Sequence, residues 1–99
     1  MITHVVVFWT DKPHGENRDR LLAAARKLAS IPGVKNFRAG IPVPSSRGVV
    51  DESYAVAISM DFETQGDADR YQNHPDHHAF VKNEVATFVK RLTVYDFEG

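Results

Sequence analysis

Apolar and polar positions along the chain switch between two periods. Ile2 to Trp9 is β-branched, apolar or aromatic almost throughout and has no Gly or Pro, which predicts a strand. Ile2, His4, Val6 and Phe8 share one face, and Val5, Val7 and Trp9 share the other. Both faces are apolar, as in a central strand covered on both sides. Asp11-Lys12-Pro13-His14-Gly15 has the residues of a turn. From Glu16 to about Ser30 the period becomes helical. Leu21, Leu22, Ala25, Leu28 and Ala29 form the stripe, and Arg18, Arg20, Arg26 and Lys27 the wet face. Pro32-Gly33 ends that helix.

Val34 to Ala39 predicts a short strand. Gly40 to Ser53, with Pro42, Pro44 and Gly48, predicts a loop longer than a hairpin turn. Tyr54 to Phe62 alternates most cleanly: Tyr54, Val56, Ile58, Met60 and Phe62 on one face, Ala55, Ala57, Ser59 and Asp61 on the other. Thr64-Gln65-Gly66-Asp67 has the form of a capping box with Asp in place of Glu, opening a second helix to about Asn73. Pro75 cannot continue that helix, and His74 before it is pushed out of α geometry, so a sharp corner is expected there. A third helical pattern, Val81, Val85, Phe88 and Val89, starts at Phe80 or Val81 and leads into a last strand, Leu92 to Phe97.

The order β-α-β-β-α-α-β predicts a ferredoxin-like α+β fold, a four-stranded antiparallel sheet with its helices on one face. Helices can cover only that face. Val5, Val7, Trp9, Tyr95 and Phe97 would stand on the other, too much apolar surface to leave wet. A second copy packed sheet to sheet, in a two-fold homodimer, is the expected cover.

Composition changes the picture mainly by exclusion. The 99 residues suffice for one domain, 1–99. Its 12 basic and 13 acidic residues are interspersed, so no basic block points to nucleic acid. There is no cysteine for a disulfide, thiolate nucleophile or metal site. The longest apolar run, Val5 to Trp9, is far short of the roughly 20 residues of a membrane span. No signal-peptide pattern opens the chain, and a cytoplasmic protein is expected.

The candidate chemistry gathers at the corner, Tyr71 to Phe80. Three of the five histidines, His74, His77 and His78, fall there beside Tyr71 and Asp76. His74, Asp76, His77 and His78 are legitimate metal ligands. However, no His-Glu-x-x-His pattern is present and Pro75 interrupts the helix, so no metal is expected. His74 with Pro75 reads as a structural corner, the side chain bonding open backbone. His78 reads as solvent-facing. The plain reading of His4 is a satisfied core histidine, and that of Tyr71 a ring packed at a helix end.

His4-Val5-Val6-Val7-Phe8, the Tyr71…His74-Pro75-x-His77-x-x-Phe80 run and Val94-Tyr95-Asp96-Phe97 together resemble the Dabb family, the stress-responsive dimeric A/B barrel proteins. The resemblance spans essentially the whole chain, and the Tyr-x-x-His-Pro-x-His spacing is its most specific part. It implies a ferredoxin-like protomer whose sheet meets its partner's to close a barrel. A plant polyketide cyclase of that family implies catalytic roles for Tyr71 and His77, with His4 matching its first-strand histidine. Its helix-one aromatics are replaced here by Leu21, Leu22 and Ala23, and an aromatic of its last helix by Val89.

An aldol-type cyclisation needs a base for a C–H proton beside a carbonyl and a donor for the enolate oxygen. Neutral imidazole is available near pH 7, since histidine titrates at about 6.5. His77 is then the base, Tyr71 the donor or orienter, and His4 a polar wall. Val6, Phe8, Tyr54 and Phe88 are expected to line a pocket for a small, largely apolar molecule, and no cofactor is required. The alternative is a non-catalytic dimer that binds such a ligand or acts in stress tolerance.

Overall fold

In the computed structural model, which describes residues 1–12 and 15–99, the order of elements is that of the predicted plan. Pro13 and His14 of the first loop lie outside the described residues. Strand β1 is Ile2–Thr10, helix α1 is Glu16–Arg26 with a 3₁₀ turn Lys27–Ser30, β2 is Lys35–Gly40 and β3 is Val56–Phe62. Helices α2 (Gln65–Gln72) and α3 (Pro75–Phe80) follow, and β4 (Val89–Glu98) closes the chain. The sheet is antiparallel in the order β2-β3-β1-β4, so the first strand is central and the last forms an edge. It is the ferredoxin-like arrangement.

The register fixes the two faces. His4, Val6 and Phe8 oppose Met60, Ile58 and Val56 on one side and Asp96, Val94 and Leu92 on the other. Paired residues point the same way, so all nine share the helix-covered face. There Val6, Phe8, Val56, Ile58, Met60 and Phe62 meet Leu21, Ala25 and Leu28 of the first helical segment and Ile31 just after it, all buried. Val5, Val7 and Trp9 face the other way beside Thr93, Tyr95 and Phe97. Among the described residues no helix covers them: Tyr95 is 60% and Phe97 57% exposed.

Three boundaries differ from expectation, each for a local reason. Helix α3 begins at Pro75, not Phe80, because proline at the first helical position lacks only an N–H that would be unbonded there anyway. The helix then runs on through a π turn, Val81–Val85, and a last turn, Ala86–Phe88. Strand β4 starts at Val89, which the helical spacing had claimed; its φ of −95° and ψ of 121° are extended, and it pairs with Thr10 after a bulge. Strand β3 begins two residues late, at Val56, because Tyr54 leaves the strand's course. The Tyr54 ring meets Trp9 edge-on at 6.5 Å, and Trp9 Nε1 donates to Ser53 Oγ.

The capping box forms by half. Thr64 Oγ1 accepts from the Asp67 N–H at 3.1 Å. The Asp67 carboxylate, one methylene shorter than glutamate, pairs instead with Arg70 one turn on.

Candidate functional site

The site is built where the helical layer fails to reach the sheet edge. α1 covers β3 and β2, α2 packs on β3 and reaches β1 through Tyr71 beside His4, and α3 meets β1 through Phe80 on Phe8, leaving edge strand β4 less covered. Leu92 and Val94, on the same face as Phe8 and Val6, are therefore 42% and 44% exposed. Under this overhang lies a cavity of about 180 Å³. Its apolar walls include Val6, Phe8, Phe80, Val85, Leu92 and Val94, and its polar groups are His4, Tyr71, Gln72 and His77.

Each ring is placed by an ordinary folding rule. His4 arrives by the alternation of β1. Tyr71 sits in the last turn of α2 and points into the core, packing on Phe62 with ring centroids 5.3 Å apart. His77 depends on the corner. His74 adopts extended backbone as the N-cap of α3, and its Nδ1 accepts from the Asp76 N–H at 3.0 Å. Helix α3 thereby restarts with His77 turned back toward Tyr71. The centroids are 4.7 Å apart for Tyr71–His77 and 5.9 Å for His4–Tyr71, giving a row of three ionisable rings.

Their surroundings differ. Burial holds the His77 imidazole below the ordinary histidine range, against the opposing pull of the Gln72 carbonyl, which accepts from its ring. His77 is therefore neutral at pH 7. Burial pushes the Tyr71 hydroxyl upward, so it remains a proton donor. That hydroxyl makes no hydrogen bond among the described residues, and a donor is left facing the cavity. His4 is 7% exposed, and its Nδ1 lies 2.5 Å from Asp96 Oδ1 across the β1–β4 pair. With the proton on Nδ1, the carboxylate fixes the tautomer that leaves Nε2 as acceptor.

Of the residues expected at the site, the structure brings together His4, Val6, Phe8, Tyr71 and His77. Tyr54 and Phe88 are not among the lining. Tyr54 packs on Trp9 at the other face, and Phe88 lies under the Arg20 guanidinium, 4.8 Å from its centroid. His74 and Pro75 form the cap and first turn of α3. His78 is exposed, its ring 6.4 Å from that of His77. Among the described residues no three His, Asp or Glu side chains gather as a metal site.

Asp96 and Gln72 escaped the sequence reading. Asp96 was legible in principle: Tyr95 and Phe97 on the bare face force it onto the face of His4. A wider depression of about 440 Å³ lies across Phe80, between α1 and α3, rimmed by Lys27, Asp76 and Glu84. It is larger but open and holds none of the three rings, so its size does not make it the site.

The profile of the stress-responsive A/B barrel (Dabb) domain matches residues 2–99. The chain belongs to the Dabb family. A Dabb-family protein of Mesorhizobium loti with a ferredoxin-like fold is similar at 31% identity and a TM-score of 0.82, covering 99% of this chain and 95% of that one. A dimeric ferredoxin-like protein of unknown function from Thermobifida fusca is 25% identical, with a TM-score of 0.77 and coverage of 99% and 90%. The hydroxynitrile lyase of Passiflora edulis shares the fold at 16% identity, with a TM-score of 0.79 and coverage of 97% and 87%. No curated protein matches the chain in sequence. Within this Dabb domain no helix among the described residues is long and apolar enough to cross a membrane.

Proposed function

We propose that this Dabb protein is a homodimer whose protomers each bind a small, largely apolar carbonyl compound under α2 and α3 and move a proton on it without a cofactor. The observation that carries the reading is the row His4, Tyr71 and His77 in one apolar cavity, with a neutral imidazole beside a protonated phenol. One His77 ring nitrogen donates to the Gln72 carbonyl, so the other is the base. It takes a proton from the carbon next to the carbonyl while the C–H electron pair becomes the enolate. The Tyr71 hydroxyl hydrogen-bonds the developing oxyanion. In a ligand with a second carbonyl, an aldol-type closure then joins the enolate carbon to that carbonyl carbon, the C=O π pair moves to its oxygen, and His77 returns its proton to the resulting alkoxide. The exposed Leu92, Val94 and Val81 at the mouth suit an alkyl chain.

A second reading, binding without turnover, is favoured by the cavity's size, since about 180 Å³ is below the usual 300–1,000 Å³ of ligand sites. Deuterium incorporation separates the two. Incubated in D₂O with medium-chain β-keto esters and methyl ketones, the wild type should accelerate exchange at the α-carbon. His77→Gln should lose at least about 100-fold of that acceleration. Exchange no faster with wild type than with His77→Gln would leave binding alone.

The dimer reading rests on the bare sheet face and on the dimeric description of the Thermobifida fusca neighbour. Val5→Asp with Phe97→Asp should convert a dimer to monomer in sedimentation. A monomeric wild type at micromolar concentration would refute it.

A further inference from the structure

Behind His4, away from the ring row, lies a separate small cavity of about 90 Å³. His4, Gln65, Asp69, Gln72 and Asp96 line it, with Ala68 in its wall. It has room for a few waters and the two to four polar partners that each would need. It adjoins an open bowl at the start of α2, with which it shares Ile2, Gln65 and Asp96. On its inner side it shares His4 and Gln72 with the reaction cavity. The His4 ring thus stands between two compartments: an apolar one holding Tyr71 and His77, and a polar one open to solvent through Asp96.

We infer that this rear cavity is a proton inlet, through which His4 exchanges protons with bulk water while a ligand fills the front. The bond pattern suits a relay. His4 Nδ1 bonds Asp96 Oδ1, and Nε2 has no partner among the described residues. When Nε2 takes a proton from water in the front cavity, the Nδ1 proton passes to the Asp96 carboxylate and on to the water outside, so one proton enters and one leaves. Transfer in the opposite sense restores the ring, so the exchange is neutral and independent of the proton that His77 carries. Other ionisable groups bear on the path: Asp69 of α2, which accepts from Gln65 Nε2 at 2.9 Å; Glu63 and Glu98 around the bowl; Tyr71 and His77 in front. Glu63 is paired with Lys35, and the remaining groups at the entrance, Asp69, Asp96 and Glu98, are acidic, which favours a proton there.

The inference rests on His4 forming a wall of the proposed site but not on turnover, so its test uses water as the probe. Nitrogen-15 NMR measures exchange of the His4 Nδ1 proton with solvent. Ala68→Leu fills the rear cavity, and Gln65→Leu, at an exposed helix-start position, removes its polar gate. Each should slow exchange roughly tenfold, with an unchanged His4 resonance position reporting an intact pair. Val94→Trp plugs the front mouth and should leave the rate within about twofold. Slowing by Val94→Trp with none from the other two would place the path at the front and overturn the inference. Equal rates in all four proteins would do the same, by showing that exchange needs neither opening. Absence of ketone deuteration in the wild type would refute the catalytic reading and leave this result standing.

Discussion

One helical layer covers one sheet, yet its two halves are built to different ends. Over β3, the first helical segment presses Leu21, Ala25 and Leu28, with Ile31 just after it, into the sheet with at most 2% exposure. Over β1 and β4, the second leaves a hollow, three ionisable rings and the exposed pair Leu92 and Val94. The first half follows from periodicity alone: a helical stripe meets an alternating strand and water is expelled. The second half gives up that burial. The helix restarted by Pro75 carries a π turn at Val81–Val85, an irregularity often found at functional sites. Two of the turn's residues, Val81 and Val85, line the cavity. The difference teaches that the packed half supplies stability while the loose half supplies room.

The largest expected effect tests that division directly. Leu21→Ala, in the packed half and fully buried, should cost about 2–5 kcal/mol in urea unfolding, the range for a large buried side chain lost from a close-packed site. Val85→Ala, beside the hollow, should cost less than about 1 kcal/mol, because the space it opens joins one already present. Equal costs would erase the distinction between the halves.

A smaller effect sharpens it through pH. Unfolded histidine titrates near 6.5, and burial lowers that of folded His77. Between the lowered value and 6.5 the unfolded chain binds more protons than the folded one. Stability therefore rises with pH through that window and falls on acidification. His77→Gln should flatten the slope below pH 6.5, measured by urea melts at several pH values. An unchanged slope would mean the imidazole is not desolvated.

How much of this was legible depends on which residues carried it. The faces of β1 and β4 followed from alternation, so the exposed Tyr95 and Phe97 were foreseen. The start of β4 was not, because Val81, Val85, Phe88 and Val89 keep helical spacing while the backbone has already become extended. Pro75 reads from the sequence as a gap between helices, although at a first helical position it is a start signal. Tyr54 kept the parity of β3 on paper, but the Trp9–Ser53 bond draws the chain out of the strand before Val56. Of the ring row, His77 and Tyr71 came with the corner and His4 with the strand. The Asp96 partner needed the register of two strands about ninety residues apart, which no local pattern states.

The hollow half is the proposed ligand site. Nitrogen-15 histidine NMR during titration with a medium-chain β-keto ester reads this directly. The His4 and His77 side-chain signals should move together while those of His74 and His78 stay. Movement of His78 alone, or of none, would contradict it.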